Sequence, residues 1–266
     1  MSSFDALIEI VERLRSDQGC PWDRAQTPET MRPYLLEEAH EAIDAIDIGT
    51  DEGIKKELGD LLFQIVLIAQ MKREDGAFDI QDVAAAISEK MVSRHPHVFD
   101  PNHVSTQDEG SVAAWEARKA KERPATTSML DGVPKSLPSL LRAHRVGEKV
   151  SRVGFAWPSI QGVYDKIDEE MAELREAIAS GDPTEVEAEY GDLLLSVSSL
   201  GRFLGADPET SLRLANQRFE SRFRDVEQLA ESANVNLHDL DLDGLEELWG
   251  QAKALEAQRL STEEKS

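Results

Sequence analysis

The chain has 266 residues, 52 of them Asp or Glu and 29 Lys or Arg, which gives a formal net charge of −23 and a sequence pI of about 4.6. A chain this acidic lacks the basic surface that binds polynucleotides or anionic lipid, so we expect neither a nucleic-acid polymer nor a membrane as a partner. The most apolar stretch, residues 61–69, is shorter than the roughly 20 residues that span a bilayer. The N-terminus lacks a signal-peptide pattern, and Cys20 is the single cysteine. These features predict a cytoplasmic protein.

Helical periodicity runs along the chain, whereas strand signals are weak. Residues 54–69 place their apolar side chains on one arc of a helical wheel, namely Ile54, Leu58, Leu61, Leu62, Ile65, Ile68 and Ala69. A segment with prolines at 101, 124, 134 and 138 follows, which predicts a linker and, around 115–122, a short charged helix. The apolar arc then returns in the second half as Val186, Tyr190, Leu193, Leu194, Val197 and Leu200. The patterns predict an all-α fold built from helical bundles.

An acidic pattern occurs twice. The first copy consists of Glu37, Glu38, Glu41, Glu57 and Asp60; the second consists of Glu169, Glu170, Glu173, Glu189 and Asp192, each 132 positions after its counterpart. The surrounding residues repeat as well, since ELGDLLFQIVLIAQ at 57–70 aligns with EYGDLLLSVSSLGR at 189–202. A later block aligns Lys90 with Arg218 and Arg94 with Arg222. We therefore predict two units, residues 1–124 with the start of the linker and residues 125–266, with a frayed tail after about 258.

The spacing of the acids indicates a metal site. Carboxylates three or four positions apart project from one side of a helix, so two packed helices could gather all five of a copy. Their repulsion, roughly 4 kcal/mol per pair at 4 Å and an effective dielectric constant of 20, would be relieved by a cation. Oxygen ligands alone favour a hard ion such as Mg²⁺. In the alternative interpretation the acids of 37–41 form an ordinary solvated face, because the helical wheel places them opposite apolar residues of 35–46.

Other hydrolytic chemistries find little support in the sequence. A di-iron carboxylate bundle needs two Glu-x-x-His pairs, and only Glu37 with His40 has that spacing. There is no GxxxxGK[ST] loop and no apparent Ser–His–Asp or Cys–His arrangement. Water activated by a bound metal is the simplest remaining nucleophile.

With EExxE followed by ExxD, the chain resembles the MazG-type all-α nucleoside triphosphate pyrophosphohydrolases over nearly its whole length. The first half matches through CPWDRAQTPETMRPYLLEEAHEAIDAI, ELGDLLFQ and RHPHVF. The second half matches through LPSLLRAHRVGEKVSRVGFAW, EYGDLLLS, ANQRFESRFRDVE and LEELWGQAK. The resemblance implies two tandem helical bundles, joined by the Pro-containing linker and completed by dimerisation into a homodimer.

The same resemblance implies an activity. Members hydrolyse nucleoside triphosphates, including deoxy and noncanonical ones, at the α–β phosphoanhydride to the monophosphate and pyrophosphate, with Mg²⁺ as cofactor and Mn²⁺ as a substitute. Such hydrolysis implies a house-cleaning role, in which noncanonical or surplus nucleotides are removed from the nucleotide pool. Two alternatives stay open: a non-catalytic regulatory or assembly module with structural metal sites, and a pyrophosphatase specific for a narrow set of deoxynucleotides.

The resemblance also implies site residues, each at the position of this chain that matches the family's motif. In the second copy, the resemblance implies catalytic roles for Glu170, Glu173, Glu189 and Asp192, metal binding by these four and Glu169, and substrate binding by Lys166, Arg218, Arg222 and Trp249. The family more often has Lys at position 218, so the phosphate contact of Arg218 would differ in geometry. The first copy offers a second candidate site, with Glu37, Glu38, Glu41, Glu57, Asp60, Lys90 and Arg94.

Overall fold

The computed structural model describes residues 2–103, 111, 114, 118 and 128–263. Every regular element in these residues is a helix, which confirms the predicted all-α class. The chain divides into two compact units, Met1–Pro124 and Ala125–Ser266. The charged helix expected around 115–122 lies outside the described residues, apart from residue 118. Among the described helices, none combines the length and apolar character that crossing a bilayer requires.

Unit 1 is built around a helical hairpin. Its helices are α1 (Ser3–Arg15), α2 (Pro21–Ala25), α3 (Arg32–Ile48), α4 (Asp51–Glu74), α5 (Ile80–Arg94) and α6 (Pro96–Phe99). Helix α3 ends at Gly49, whose φ of 77° is the left-handed conformation that glycine adopts without strain. The chain then reverses into α4, which packs against α3, α1 and α5. Capping boxes of Ser2 with Asp5 and of Asp79 with Asp82 fix the starts of α1 and α5.

The core of unit 1 lies between α1, the start of α3 and α4. Its buried side chains include Val11, Met31, Leu67 and Met71. This burial corrects the predicted apolar arc of α4, because Leu58, Leu62 and Ile65 are all at least one-third exposed. The buried side of the helix instead includes Gln64, Leu67 and Met71. A polar side chain therefore occupies a position on the packed face of α4.

Unit 2 repeats the hairpin with different surroundings. Its helices are α7 (Ser139–Ser151), α8 (Ile160–Ser180), α9 (Pro183–Leu204), α10 (Pro208–Ser232) and α11 (Leu242–Glu263), with a 3₁₀ turn at Leu237–Asp239. Helices α9 and α10 each begin with proline after an aspartate whose side chain accepts a backbone hydrogen bond. Helix α8 packs along α9, α7 packs against α9 and α10, and α11 packs against α10.

The predicted apolar arc of α9 is corrected in the same way as that of α4. Tyr190, Leu194 and Val197 are exposed, as are their counterparts in α4. Helix α11 continues to Glu263, and Arg259 of α11 donates hydrogen bonds of 3.1 and 2.8 Å to both carboxylate oxygens of Asp225 on α10.

Candidate active site

The acids of α3 lie beside the surface that packs against α4. Ala42 and Ala45 are buried on α3, whereas Ile43 and Ile46 are exposed. Glu38 is half-buried as a result, and it approaches the buried Gln64 of α4. Glu37 and Glu41 are exposed, as the alternative of a solvated face expects, whereas Glu38 turns toward the packed surface of α4.

Three acids of the first copy come together. One carboxylate oxygen each from Glu38, Glu41 and Glu57 lies within 4.8 Å of the other two. We call these residues the first trio. The Nε2 of Gln64 donates a hydrogen bond of 3.3 Å to Glu38 Oε1, which ties the trio to the packed face of α4. Glu37 and Asp60, which the sequence also predicted as site residues, lie outside this trio.

Two acceptor atoms beside the first trio lack donors. Glu57 Oε2 and Gln64 Oε1 are buried, and neither accepts a hydrogen bond from a described residue. Burying an acceptor without a partner costs free energy, so such atoms in native proteins usually contact an ion or water. Both atoms are oxygens, which are the ligands that Mg²⁺ prefers.

The second copy gathers the equivalent acids. Oxygens of Glu170, Glu173 and Glu189 lie within 4.8 Å of one another, and we call these residues the second trio. Glu170 is 4% exposed. The Nζ of Lys166 lies 2.7 Å from Oε1 of Glu170 and 2.7 Å from Oε1 of Glu169. Glu169 therefore contacts the lysine from outside the trio, and Asp192 also lies outside it.

Crowding of negative charge raises the pKa of one glutamate in each trio. In the first trio the pKa of Glu41 is raised by burial and by the charges of Glu38 and Glu57. In the second trio the pKa of Glu189 is raised by burial and by the charges of Glu173 and Glu170. Since the neutral form is favoured by these surroundings, a bound cation would stabilise both trios.

The lysines beside the two trios come from different helices of the hairpin. Lys56 lies on the second helix, α4, 2.8 Å from Glu57 and 3.8 Å from Asp60. Lys166 lies on the first helix, α8, beside Glu170. Hydrogen bonds to glutamate raise the pKa of both lysines. Sequence reasoning missed Lys56, although its position one residue before a predicted ligand could have indicated it.

Both trios fit a hard divalent cation. In each trio every candidate ligand atom is a carboxylate oxygen, and the side chains that supply these oxygens come from both helices of a hairpin. Glu38 and Glu41 with Glu57 would hold the ion in unit 1, and Glu170 and Glu173 with Glu189 would hold it in unit 2. Within the described residues, no histidine or cysteine joins either group, so a di-iron or thiolate centre does not fit.

Two of the other predicted substrate contacts of unit 2, Arg222 and Trp249, come together between α10 and α11. Arg222 donates a hydrogen bond of 2.6 Å from Nε to Glu256, and its Cζ lies 6.0 Å from the centre of the Trp249 ring. Trp249 also packs on Phe219, with ring centres 5.1 Å apart. Arg218 is exposed on α10. Glu256 was not predicted from the sequence.

The corresponding cations of unit 1 have different surroundings. Lys90 is exposed on α5, whereas Arg94 is 8% exposed. The backbone carbonyl of Arg94 accepts a hydrogen bond of 2.8 Å from Nη1 of Arg118. Arg94 is therefore more deeply buried than its counterpart Arg222, which is half-buried.

The comparison with known proteins matches each of the two units separately. The sequence model of the MazG nucleotide pyrophosphohydrolase domain matches the chain twice, at residues 26–99 and 159–226. The chain belongs to this family. Its helical hairpins are thus two MazG domains, and the predicted resemblance is confirmed. Each match contains one trio, whereas Trp249 and Glu256 lie after the second match.

Several relatives match over nearly their whole length. The nucleoside triphosphate pyrophosphohydrolase/pyrophosphatase MazG of Thermotoga maritima is 45% identical over 94% of this chain and 95% of its own. The nucleoside triphosphate pyrophosphohydrolase of Escherichia coli K12 is 43% identical over 96% of this chain and 99% of its own. A solved MazG-related protein from T. maritima aligns with 44% of this chain and 98% of its own, at 28% identity and a TM-score of 0.36. The chain is therefore a MazG-family enzyme.

Proposed function

We propose that unit 2 hydrolyses nucleoside triphosphates to the monophosphate and pyrophosphate, in a Mg²⁺-dependent reaction that cleans the nucleotide pool. The second trio, with Lys166 against the buried Glu170, is the observation that carries this proposal. Relatives at 43–45% identity that are named nucleoside triphosphate pyrophosphohydrolases support it. Mn²⁺ has the same preference for oxygen ligands, and we expect it to substitute.

The chemistry assigns each group a task. Glu170, Glu173 and Glu189 would hold the Mg²⁺ ion, which would supply positive charge to the phosphates and would lower the pKa of a coordinated water. The ammonium group of Lys166 lies 2.7 Å from carboxylate oxygens of Glu169 and Glu170, so it offsets part of the negative charge beside the second trio. Arg222 and Arg218 take up the remaining negative charge of the triphosphate. In the reaction, the water oxygen bonds to one phosphorus of the α–β anhydride and the bond from that phosphorus to the bridging oxygen breaks. The bridging oxygen leaves with the other fragment, a proton of the water is released to solvent, and the products are the monophosphate and pyrophosphate.

Product analysis tests the proposal. The full chain is incubated with Mg²⁺ and a panel of ordinary and modified ribo- and deoxynucleoside triphosphates, and the products are separated by anion-exchange chromatography. We expect monophosphate and pyrophosphate in equal amounts. Orthophosphate with a nucleoside diphosphate would contradict the cleavage position. Turnover confined to a few deoxynucleotides would support the narrow-specificity alternative, and binding without turnover would support the regulatory module.

Matched substitutions separate the two copies. Glu189→Gln removes a charge from the second trio, and we expect it to lower kcat by about 100-fold or more. Glu57→Gln is the equivalent change in the first trio, and it tests whether unit 1 contributes to turnover. Glu187→Gln is the control, because Glu187 is an exposed residue of α9 outside the trio. Equal losses from Glu187→Gln and Glu189→Gln would refute the assigned site.

We also propose that the enzyme is a homodimer whose interface includes an apolar stripe in each unit. Leu58, Leu62 and Ile65 of α4 and their counterparts Tyr190, Leu194 and Val197 of α9 are 37–54% exposed. Exposed apolar stripes of this kind favour association with another apolar surface. The test is the mass in solution by light scattering, where Leu62→Glu together with Leu194→Glu should convert a dimer to a monomer. A monomeric wild-type chain would rule out the proposal.

A further inference from the structure

Glu256 of α11 holds one edge of the Arg222 guanidinium. Its Oε2 accepts a hydrogen bond of 2.6 Å from Arg222 Nε, and both side chains are only about one-quarter exposed. A charge-assisted hydrogen bond in such a partly dry setting restricts a side chain that would otherwise sample many rotamers. Glu256 therefore limits the direction in which Arg222 points.

Trp249 restricts the same guanidinium from another side. The Arg222 Cζ lies 6.0 Å from the Trp249 ring centre, a distance at which a cation is attracted to an aromatic ring. Trp249 is itself held by Phe219, whose ring centre is 5.1 Å away. Phe219 in turn stacks on Phe223 at 6.2 Å. The indole thus belongs to an aromatic group spanning α10 and α11.

The terminal nitrogens of Arg222 donate no hydrogen bond to any described residue. In the described part of the chain, the only hydrogen bond that Arg222 donates leaves from Nε. A guanidinium carries five N–H groups in one plane, and its two terminal nitrogens can bind two oxygens of one phosphate. We propose that Glu256 and Trp249 are positioning residues, which orient Nη1 and Nη2 of Arg222 toward the triphosphate. This inference rests on the proposed function, because it takes Arg222 as a phosphate contact.

A neighbouring ion pair provides the control. Arg259 of α11 binds both oxygens of Asp225 on α10, so it joins the same two helices as Glu256 and Arg222 do. Arg259→Gln weakens the docking of α11 and removes a positive charge near Glu256, but it leaves both partners of the Glu256–Arg222 hydrogen bond in place. Glu256→Gln removes the charge that orients Arg222 and keeps the side-chain length. A difference between these variants therefore reports orientation and not docking.

Calorimetric binding of inorganic tripolyphosphate in the presence of Mg²⁺ tests the inference on the full chain. Tripolyphosphate has no base or sugar, so it measures the phosphate contacts alone. We expect Glu256→Gln and Trp249→Ala each to raise its Kd by about tenfold, as Arg222→Gln does, whereas Arg259→Gln leaves it within about twofold. Trp249→Phe keeps an aromatic face and should retain most of the affinity. Glu256→Gln should add little in an Arg222→Lys background, because the residues act as one unit.

Three outcomes would overturn the inference. The first is an equal rise in Kd for Arg259→Gln, which would make α11 docking the cause. The second is a Trp249→Ala variant with normal tripolyphosphate binding but a raised KM for nucleotides, which would make Trp249 a platform for the base. The third is wild-type affinity in Arg222→Gln or no tripolyphosphate binding by the wild type. Hydrolysis is a separate readout, since tight tripolyphosphate binding without nucleotide turnover would refute the proposed function alone. Circular dichroism of each variant checks that the helices are intact.

Discussion

Lys166 and Glu170 form a 2.7 Å salt bridge across one turn of α8, and the Glu170 side chain is 5% exposed. A buried carboxylate without a counter-charge is strongly destabilising, so this lysine stabilises the hairpin before any metal binds. The lysine beside the first trio is less buried, because the Lys56 side chain that pairs with Glu57 is 69% exposed. The two units therefore depend to different extents on their lysines.

Replacing Lys166 with methionine should lower the melting temperature of the metal-free protein by about 2–4 °C or more, because Glu170 loses its counter-charge. Saturating Mg²⁺ should reduce the difference, since the ion supplies the missing charge and binds the folded state. Lys56→Met is the matched control and should have a smaller effect, because solvent already screens its ion pair. Differential scanning calorimetry with and without Mg²⁺ measures both. Equal losses in the two variants would contradict the distinction.

The raised pKa values of Glu41 and Glu189 predict a pH dependence. A glutamate whose pKa is higher in the folded state stabilises the fold below its unfolded pKa of about 4.3, and this contribution is lost as the pH rises through the folded pKa. The variant carrying Glu41→Gln and Glu189→Gln lacks this titration. Without metal, its melting temperature should therefore increase relative to wild type as the pH rises from about 4.5 to 7.5. A difference that is constant with pH would refute the prediction.

The affinity of the chain for Mg²⁺ should also depend on pH. Protons compete with Mg²⁺ for the same carboxylates, so the affinity of the wild-type chain should decrease as the pH falls through the raised pKa values. Calorimetric titration with Mg²⁺ in two buffers of different ionisation enthalpy would also count the protons released. Binding without proton release at mildly acidic pH would contradict a role for these glutamates as ligands.

The stability contributed by the ion pair of Arg15 with Glu74 should depend on pH in the opposite direction. Arg15 donates hydrogen bonds from Nε and Nη2 to the carboxylate, which lowers the pKa of Glu74. A lowered pKa gives stability that is present above the unfolded pKa and is lost as the pH falls through the folded one. Because the Glu74 side chain is 38% exposed and solvent screens the pair, Glu74→Gln should cost only about 1 kcal/mol at pH 7, measured by urea unfolding, and much less in strong acid. Glu52→Gln, which affects an exposed pair with Lys55, should change stability by less than about 0.5 kcal/mol.

Two glycines of α9 should respond oppositely to alanine. A Cβ at Gly201 would lie 2.5 Å from the backbone oxygen of Ala206, so Gly201→Ala should destabilise unit 2 by about 1–3 kcal/mol. A Cβ at Gly191 would meet nothing within 4 Å. Gly191→Ala should therefore stabilise the helix by up to about 1 kcal/mol. Thermal unfolding of both variants distinguishes a steric cause from a general effect of helix propensity.

Much of the fold could be predicted from the sequence, because the duplicated pattern and the helical periodicity are local signals. The buried face of α4 could not. A helical wheel assigns the largest apolar arc to the core, yet Leu58, Leu62 and Ile65 are exposed while Gln64 is buried. A helical wheel ranks side chains by hydrophobicity alone, so it could not show that Gln64 would be buried with a hydrogen bond to Glu38 on the neighbouring helix.

Three of the five acids that the sequence predicted in each copy come together, whereas Glu256 and Lys56 were not predicted. Spacing alone places Glu170 and Glu173 on one side of α8, and the repeat pairs them with Glu189. Glu256 gave no comparable signal, because its contact with Arg222 spans two helices separated by a turn. The ion pair depends on how α11 crosses α10, and no local pattern specifies a crossing.

Tyr34 stands in unit 1 where the repeat places Lys166 in unit 2, and Ala188 stands in unit 2 where the repeat places Lys56 in unit 1. Each lysine is thus absent from the other copy, although both trios have one beside them. The electrostatic polarity of the hairpin is reversed between the units, with the positive charge on the second helix of one and on the first helix of the other. The acids of the two trios are matched by the repeat, whereas the ammonium group nearest to them is not. Duplication has thus preserved the carboxylates while the charge that balances them has moved from one helix of the hairpin to the other.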